Sequence, residues 1–176
     1  MKVQFLFVFV LQFIASSLWG QVQDSLAFDV EDQAIYFEQE LMLLEDYLSE
    51  EEQELWVKFK VDTFRFERIL EGRMVLNPST MGTIDAIHEA EASYDQLLNR
   101  YYKKLMNRLE PADQEVLRQA QRQWIKFRDA EKALINQIYS DTYTGGGTMY
   151  NIFIVHDHYS LTRQRVFELF HHCVAY

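Results

Sequence analysis

The chain has 176 residues, a formal net charge of −10 and a single cysteine. This length suits one domain of ordinary size, and 48% hydrophobic residues can build a core without an internal disulfide, which one cysteine cannot form. The acidic balance argues against nucleic acid and against anionic lipid as partners.

The N-terminus has the pattern of a secretory signal peptide. Lys2 gives a basic start, residues 3–14 are almost wholly apolar, and small residues follow up to Gly20. The alternative, an uncleaved membrane anchor, would need about 20 apolar residues. We therefore expect residues 1–20 to be a signal peptide, cleaved after Ser17 or Gly20. The mature protein would be periplasmic or secreted and free of the membrane.

The rest of the chain predicts an all-α fold. Two prolines and six glycines punctuate the sequence, and apolar residues recur between them at helical spacing. Ser49 and Glu52 form a capping box, and Pro111 suits a first helical turn. The predicted antiparallel bundle has about five helices, at about 30–48, 50–70 with a stop at Gly72, 83 or 84 to 109, 111–139 and 160–173. Residues 140–148 are predicted as a loop, and 150–155 could form a short extended segment.

The fourth predicted helix carries an apolar stripe that we expect to face the core. Its members recur at helical spacing and are Val116, Ala120, Trp124, Phe127, Leu134 and Ile138.

Charge divides the chain into two halves. Residues 21–98 hold 19 acidic and 5 basic side chains, whereas residues 99–176 hold 8 acidic and 11 basic ones. The acidic half would attract a cationic partner, and the alternative is an ordinary solvated helix face. The candidate partner-binding acidic face consists of Glu50, Glu51, Glu52 and Glu54.

The two halves also echo each other in sequence. Leu48, Gln53 and Phe66 recur as Leu109, Gln114 and Phe127, and Gly82-Thr83 recurs as Gly147-Thr148. This pattern predicts two degenerate helical-hairpin repeats that share a long central helix, each with a Gly-Thr loop. The predicted units are an acidic one at 21–84 and a second domain at 85–176.

A longer motif lies in the second unit and consists of Asp95, Leu98, Asn99, Tyr102, Gln121, Trp124, Phe127, Arg128, Asp129, Gly147, Thr162, Arg163 and Arg165. The order of these residues resembles the helical domain of the LprI-type lysozyme-inhibitor family. The resemblance covers somewhat under half the chain and implies a periplasmic binding protein whose partner is a lysozyme-type hydrolase. Family members carry a cysteine just after the Arg-Asp-Ala run, where this chain has Glu131-Lys132-Ala133.

Helical spacing favours a structural role for this motif. Gln121, Trp124 and Phe127 are three residues apart and would share one face, with the aromatic rings in the core. Arg128 would hold a carboxylate or the end of another helix. Arg163 and Arg165 could do the same, with Asp95 or Asp129 as partners. The alternative is that these arginines contact a partner protein.

No catalytic constellation is evident, so we predict neither an enzyme nor a cofactor. His156-x-His158 and the terminal His171-His172-Cys173 lack the paired spacing of a metal site. The glycine run 145–147 lacks the lysine of a phosphate-binding loop. The sequence therefore predicts an exported binding protein that masks a cationic partner. The alternative is an envelope protein-interaction module with no inhibitory activity.

Overall fold

A computed structural model describes residues 2–44 and 49–174 and confirms the all-α prediction. The described part contains six helices and no strand. One of them, α5, is a single turn that replaces part of the predicted loop. The helices are α1 (Lys2–Leu44), α2 (Glu50–Leu76), α3 (Thr80–Arg108), α4 (Pro111–Ile138), α5 (Asp141–Thr144) and α6 (Met149–Val174).

Local side-chain chemistry sets several helix ends. Ser49 caps α2 in the predicted box, since its backbone N–H donates to Glu52 and the Glu52 N–H donates back to its hydroxyl. Helix α3 begins earlier than predicted because Ser79 caps it, accepting the N–H of Gly82 at 3.1 Å. Pro111 occupies the first turn of α4, as expected.

Two glycines that the sequence predicts at a helix end or in a loop lie inside helices instead. Gly72 does not end α2, which runs on to Leu76. An added Cβ at Gly72 would lie 2.4 Å from Cδ1 of Leu26, so this glycine serves the close approach of α1 and α2. Gly82 lies inside α3, where a Cβ would be 2.5 Å from the backbone oxygen of Asn77. The Gly-Thr loop predicted for the first repeat at residues 82–83 is therefore wrong.

Other predicted boundaries also change. Helix α1 starts near the N-terminus rather than near residue 30, and its predicted end at Leu48 lies outside the described residues. Residues 150–155 are helical and belong to α6, which is therefore longer than predicted. No helix in the described part of the chain has the length and hydropathy of a membrane span.

The main core lies where α3 and α6 pair along most of their length and α2 closes one side. Three buried aromatic side chains, one from each helix, meet at its centre. Phe59 stacks on Phe170 with ring centroids 3.8 Å apart, and Tyr101 meets both rings edge-on. A smaller cluster around Ala34 and Val57 joins α1 to α2. The chain therefore forms a bundle to which α1 is attached through α2.

Helix α4 packs less extensively, mainly against α6. Its buried side chains are Leu117 and Ile135, and Trp124 is partly buried against the core. The predicted core stripe faces solvent instead, as Phe127 is 54% exposed. At about 100° per residue, the buried face lies roughly a quarter-turn away from this stripe. The expectation that Phe127 fills the core is wrong. The other exposed members are Val116, Ala120, Leu134 and Ile138.

Candidate functional site

A single carboxylate connects three helices at the middle of the bundle. Oε1 of Glu67, on α2, accepts hydrogen bonds from the hydroxyl of Tyr94 at 2.7 Å and the hydroxyl of Tyr159 at 2.9 Å. Nε of Arg163 donates to the same oxygen at 2.9 Å. The three donors come from α3 and α6, so the contact joins α2 to the paired central helices. We call these four residues the Glu67 cluster.

The environment of Glu67 favours its ionised form. Burial alone would raise the pKa of the Glu67 carboxyl, but the hydrogen bonds from Tyr94, Arg163 and Tyr159 outweigh it, and the net pKa lies below the ordinary value. Burial, reinforced by the carboxylate, raises the pKa of both phenols. All four groups therefore keep one protonation state at neutral pH, which suits a fixed structural contact better than proton transfer.

Sequence reasoning missed the Glu67 cluster. The sequence suggested Asp95 or Asp129 as partners of the motif arginines. Asp129 does pair with Arg128, but Arg163 pairs with Glu67, and within the described residues the exposed Asp95 carboxylate accepts from Asn99 at 3.2 Å. The only available signal was a glutamate at an apolar edge of α2, with no indication of its partner 96 residues away in the chain.

A second group of motif residues surrounds Trp124. The guanidinium carbons of Arg128 and Arg165 lie 5.3 and 5.7 Å from its ring centroid, within cation–π range. Nε of Arg165 donates to Gln121 at 3.1 Å, and Arg128 donates to adjacent Asp129 at 2.9 and 3.0 Å. Arg165 of α6 thus attaches α4 to the bundle through the indole ring, whereas the contact of Arg128 with that ring lies within α4.

The remaining motif residues lie in three different environments: a buried hydrogen bond, a glycine turn before α6 and a groove between α3 and α4. Thr162 is buried and donates to Glu91, which also accepts from Lys132 at 2.5 Å. Gly147 has a φ of 139°, which favours glycine, just before α6. The others line a groove of about 330 Å³ between α3 and α4. The groove is lined by Leu98, Asn99, Tyr102, Gln121, Arg118, Arg122 and Ile125.

The predicted acidic face lies at the start of α2, but two of its four carboxylates have internal roles. Glu51 pairs with Arg108 of α3, and Glu52 completes the capping box. Hydrogen bonds from Ser49 lower the pKa of Glu52. Glu50 and Glu54 are exposed and form no ion pair within residues 2–44 and 49–174. Within the described residues, these two carboxylates are therefore the members of the predicted face without an internal ion pair.

The structure describes the surroundings of Cys173 and His158, whose side chains the sequence analysis considered as possible metal ligands. Burial raises the pKa of the Cys173 thiol, which disfavours a nucleophilic thiolate. Burial, followed by the charge of Lys132, lowers the pKa of His158. Among the residues whose placement the structure gives, no three His, Cys, Asp or Glu side chains lie close enough together to hold a metal ion.

Comparison with known proteins gives one finding. The family described as "Lysozyme inhibitor LprI" matches residues 74–169, a little over half of the chain. No curated protein and no solved structure matches the chain. The matched segment contains the three donors of the Glu67 cluster, whereas their acceptor lies before it.

Proposed function

Because the chain belongs to the lysozyme inhibitor LprI family, we propose that it is an exported, non-enzymatic protein that inhibits a lysozyme-type hydrolase by covering its cationic surface. The observation that carries this proposal is the acidic start of α2, with Glu50 and Glu54 free of internal partners within the described residues. The family description supports the class of target. The charge of this face supports the mode of contact.

Electrostatics favours a rapid encounter at this face. Hydrolases of the lysozyme type are basic, and the 21–98 half of the chain carries a large excess of carboxylates. Such opposite fields steer association and raise the association rate, more than they raise the affinity of the final complex. The first turn of α2 therefore supplies long-range attraction as well as direct contacts.

The acidic face also stands on a rigid support. The capping box fixes the first turn of α2, and the Glu67 cluster holds the same helix against α3 and α6. A site built on packed helices loses little conformational entropy when it binds. The matched family segment would thus act as the scaffold that presents an acidic helix from outside the match.

One observation favours a second candidate function. The family cysteine after the Arg-Asp-Ala run is absent, and residues 131–133 are Glu-Lys-Ala instead. If inhibition depends on that cysteine, the chain would be an envelope protein-interaction module that uses the same scaffold for another partner.

A muramidase assay separates the two functions. The chain from Gln21 onward would be titrated against a basic lysozyme at low and at physiological ionic strength, and we expect inhibition that weakens as salt rises. The double variant Glu50→Lys, Glu54→Lys should weaken inhibition about tenfold at low salt, through slower association.

A matched control keeps the same change in net charge. Glu71→Lys with Asp85→Lys alters exposed acids near the opposite end of α2, about 25 Å along the helix from Glu54. This control should inhibit nearly as well as the native chain. Absence of inhibition in both buffers would favour the interaction module, and equal loss in both variants would refute docking at the start of α2.

A further inference from the structure

A polar contact near the end of α4 attaches this helix to α3 and α6. Nζ of Lys132, on α4, lies 2.5 Å from Oε1 of Glu91, on α3. The hydroxyl of Thr162, on α6, donates to the same oxygen at 3.3 Å. The side chains of Lys132 and Glu91 are only 26% and 19% exposed. The contact therefore joins three helices through groups that are largely removed from water.

His158 of α6 lies beside this contact. The charged groups that act on its ring are Glu91 on α3, Lys132 on α4 and Asp157 on α6, and the backbone of Lys132 also faces the ring. The Nε2 atom of His158 is buried and has no hydrogen-bond partner within residues 2–44 and 49–174. The side chains of the other four histidines are exposed, and these are His88, His156, His171 and His172.

The docked position of α4 suits a neutral His158 and disfavours a charged one. In the charged ring both nitrogens are donors, so a buried N–H at Nε2 would need an acceptor that the described residues do not supply. The new charge would also lie near the ammonium of Lys132. Glu91 opposes this repulsion, but burial and Lys132 together outweigh it and lower the pKa of His158.

An open α4 removes this penalty, because water reaches Nε2 and Lys132 moves away with its helix. Opening of α4 does not require global unfolding. The helix packs less extensively than the central pair, and the stacked rings of Phe59, Tyr101 and Phe170 belong to α2, α3 and α6. We propose that mild acid releases α4 from the bundle, because a protonated His158 is accommodated when α4 is open and disfavoured when it is docked.

Proton linkage gives the sign and the range of this effect. The open state takes up a proton at the ordinary histidine pKa of about 6.5, and the docked state takes it up less readily, so opening becomes more favourable as the pH falls below 7. From pH 7 to 5.5 the opening constant should rise several-fold, with about eightfold as the ceiling that the open-state pKa allows. Carboxyl groups of ordinary pKa, about 4, remain ionised over this interval.

Amide hydrogen exchange at pH 7 and pH 5.5, on the chain from Gln21 onward and corrected for the intrinsic pH dependence of exchange, measures the opening of α4. Peptides within residues 128–138 should show the rise. His158→Gln cannot be protonated and should abolish the rise, and the ratio between the two pH values is the readout, whatever the change in absolute rate. His156→Gln is the matched control, because His156 is exposed on the same helix, and this variant should keep the rise.

A proton NMR titration of the His158 ring tests the same proposal independently. Its midpoint should lie below about 6.5, and a midpoint at or above that value would mean that Glu91 accepts from the charged ring. That result would overturn the proposal. So would exchange in α4 that is equal at the two pH values, or a rise that persists in His158→Gln. Amides of α4 that exchange no faster than those of α3 at pH 7 would also overturn it, because α4 would then open only with the whole fold.

Discussion

Replacement of Glu67 by leucine should lower the free energy of unfolding by about 2–3 kcal/mol. Tyr94 and Tyr159 are buried, and both lose their acceptor. Because the two hydroxyls converge on one oxygen, one can donate to the other, which leaves one buried donor unsatisfied at a cost of about 1–3 kcal/mol. Arg163 is 42% exposed, so water replaces its partner and the lost ion pair adds at most about 1 kcal/mol.

Urea unfolding followed by circular dichroism measures this change, and thermal unfolding should show a midpoint lower by roughly 4–12 °C for a chain of this size. Glu71→Leu is the matched control on the same helix, because Glu71 is exposed and its ion pair among the described residues is with Arg68. It should change stability by less than about 0.5 kcal/mol. Tyr94→Phe should cost less in the Glu67→Leu protein than in the native one. Equal effects of Glu67→Leu and Glu71→Leu, or additive effects of Glu67→Leu and Tyr94→Phe, would refute the reasoning.

The Glu67 cluster also predicts a pH dependence. The folded-state pKa of Glu67 is lowered, so its ionised form stabilises the fold above the unfolded-state pKa of about 4.3. That contribution is lost as the pH falls through the folded value. The stability difference between the native chain and Glu67→Gln should therefore be constant from neutral pH down to about 5 and shrink below about 4. A difference that stays constant or widens in acid would contradict the structure.

Three further substitutions test the packing of α4 and α3. Trp124→Ala should lower the free energy of unfolding in urea by about 2–3 kcal/mol, because it removes a half-buried ring and its two arginine contacts. Phe127→Ala at low micromolar concentration should lower it by less than about 0.5 kcal/mol. Similar losses at both positions would mean that α4 is rotated about its axis. Gly82→Ala should destabilise the fold by about 1–3 kcal/mol, although alanine has the higher helix propensity, because the added Cβ would meet the backbone oxygen of Asn77. A stabilised Gly82→Ala variant would contradict that close contact.

Local signals predicted much of the fold. The capping box at Ser49, the break before Pro111 and the apolar periodicity of α3 each depend on residues within one or two turns, and the structure confirms them. Gly72 was misinterpreted because a glycine that permits close helix packing looks the same in sequence as one that ends a helix. The Glu67 cluster was beyond reach for a related reason, since its partners are separated by 27 to 96 residues and meet only through tertiary packing.

Helix α4 shows a further limit of periodicity. Its apolar stripe is real, but periodicity identifies an apolar face without identifying what covers it. Inside the chain, α4 uses a neighbouring face, in which Leu117 and Ile135 are buried and Trp124 makes a cation–π contact with Arg165 of α6. That arrangement leaves Phe127 54% exposed and Leu134 50% exposed. The sequence records both residues as apolar, and only the tertiary packing shows that neither one fills the core.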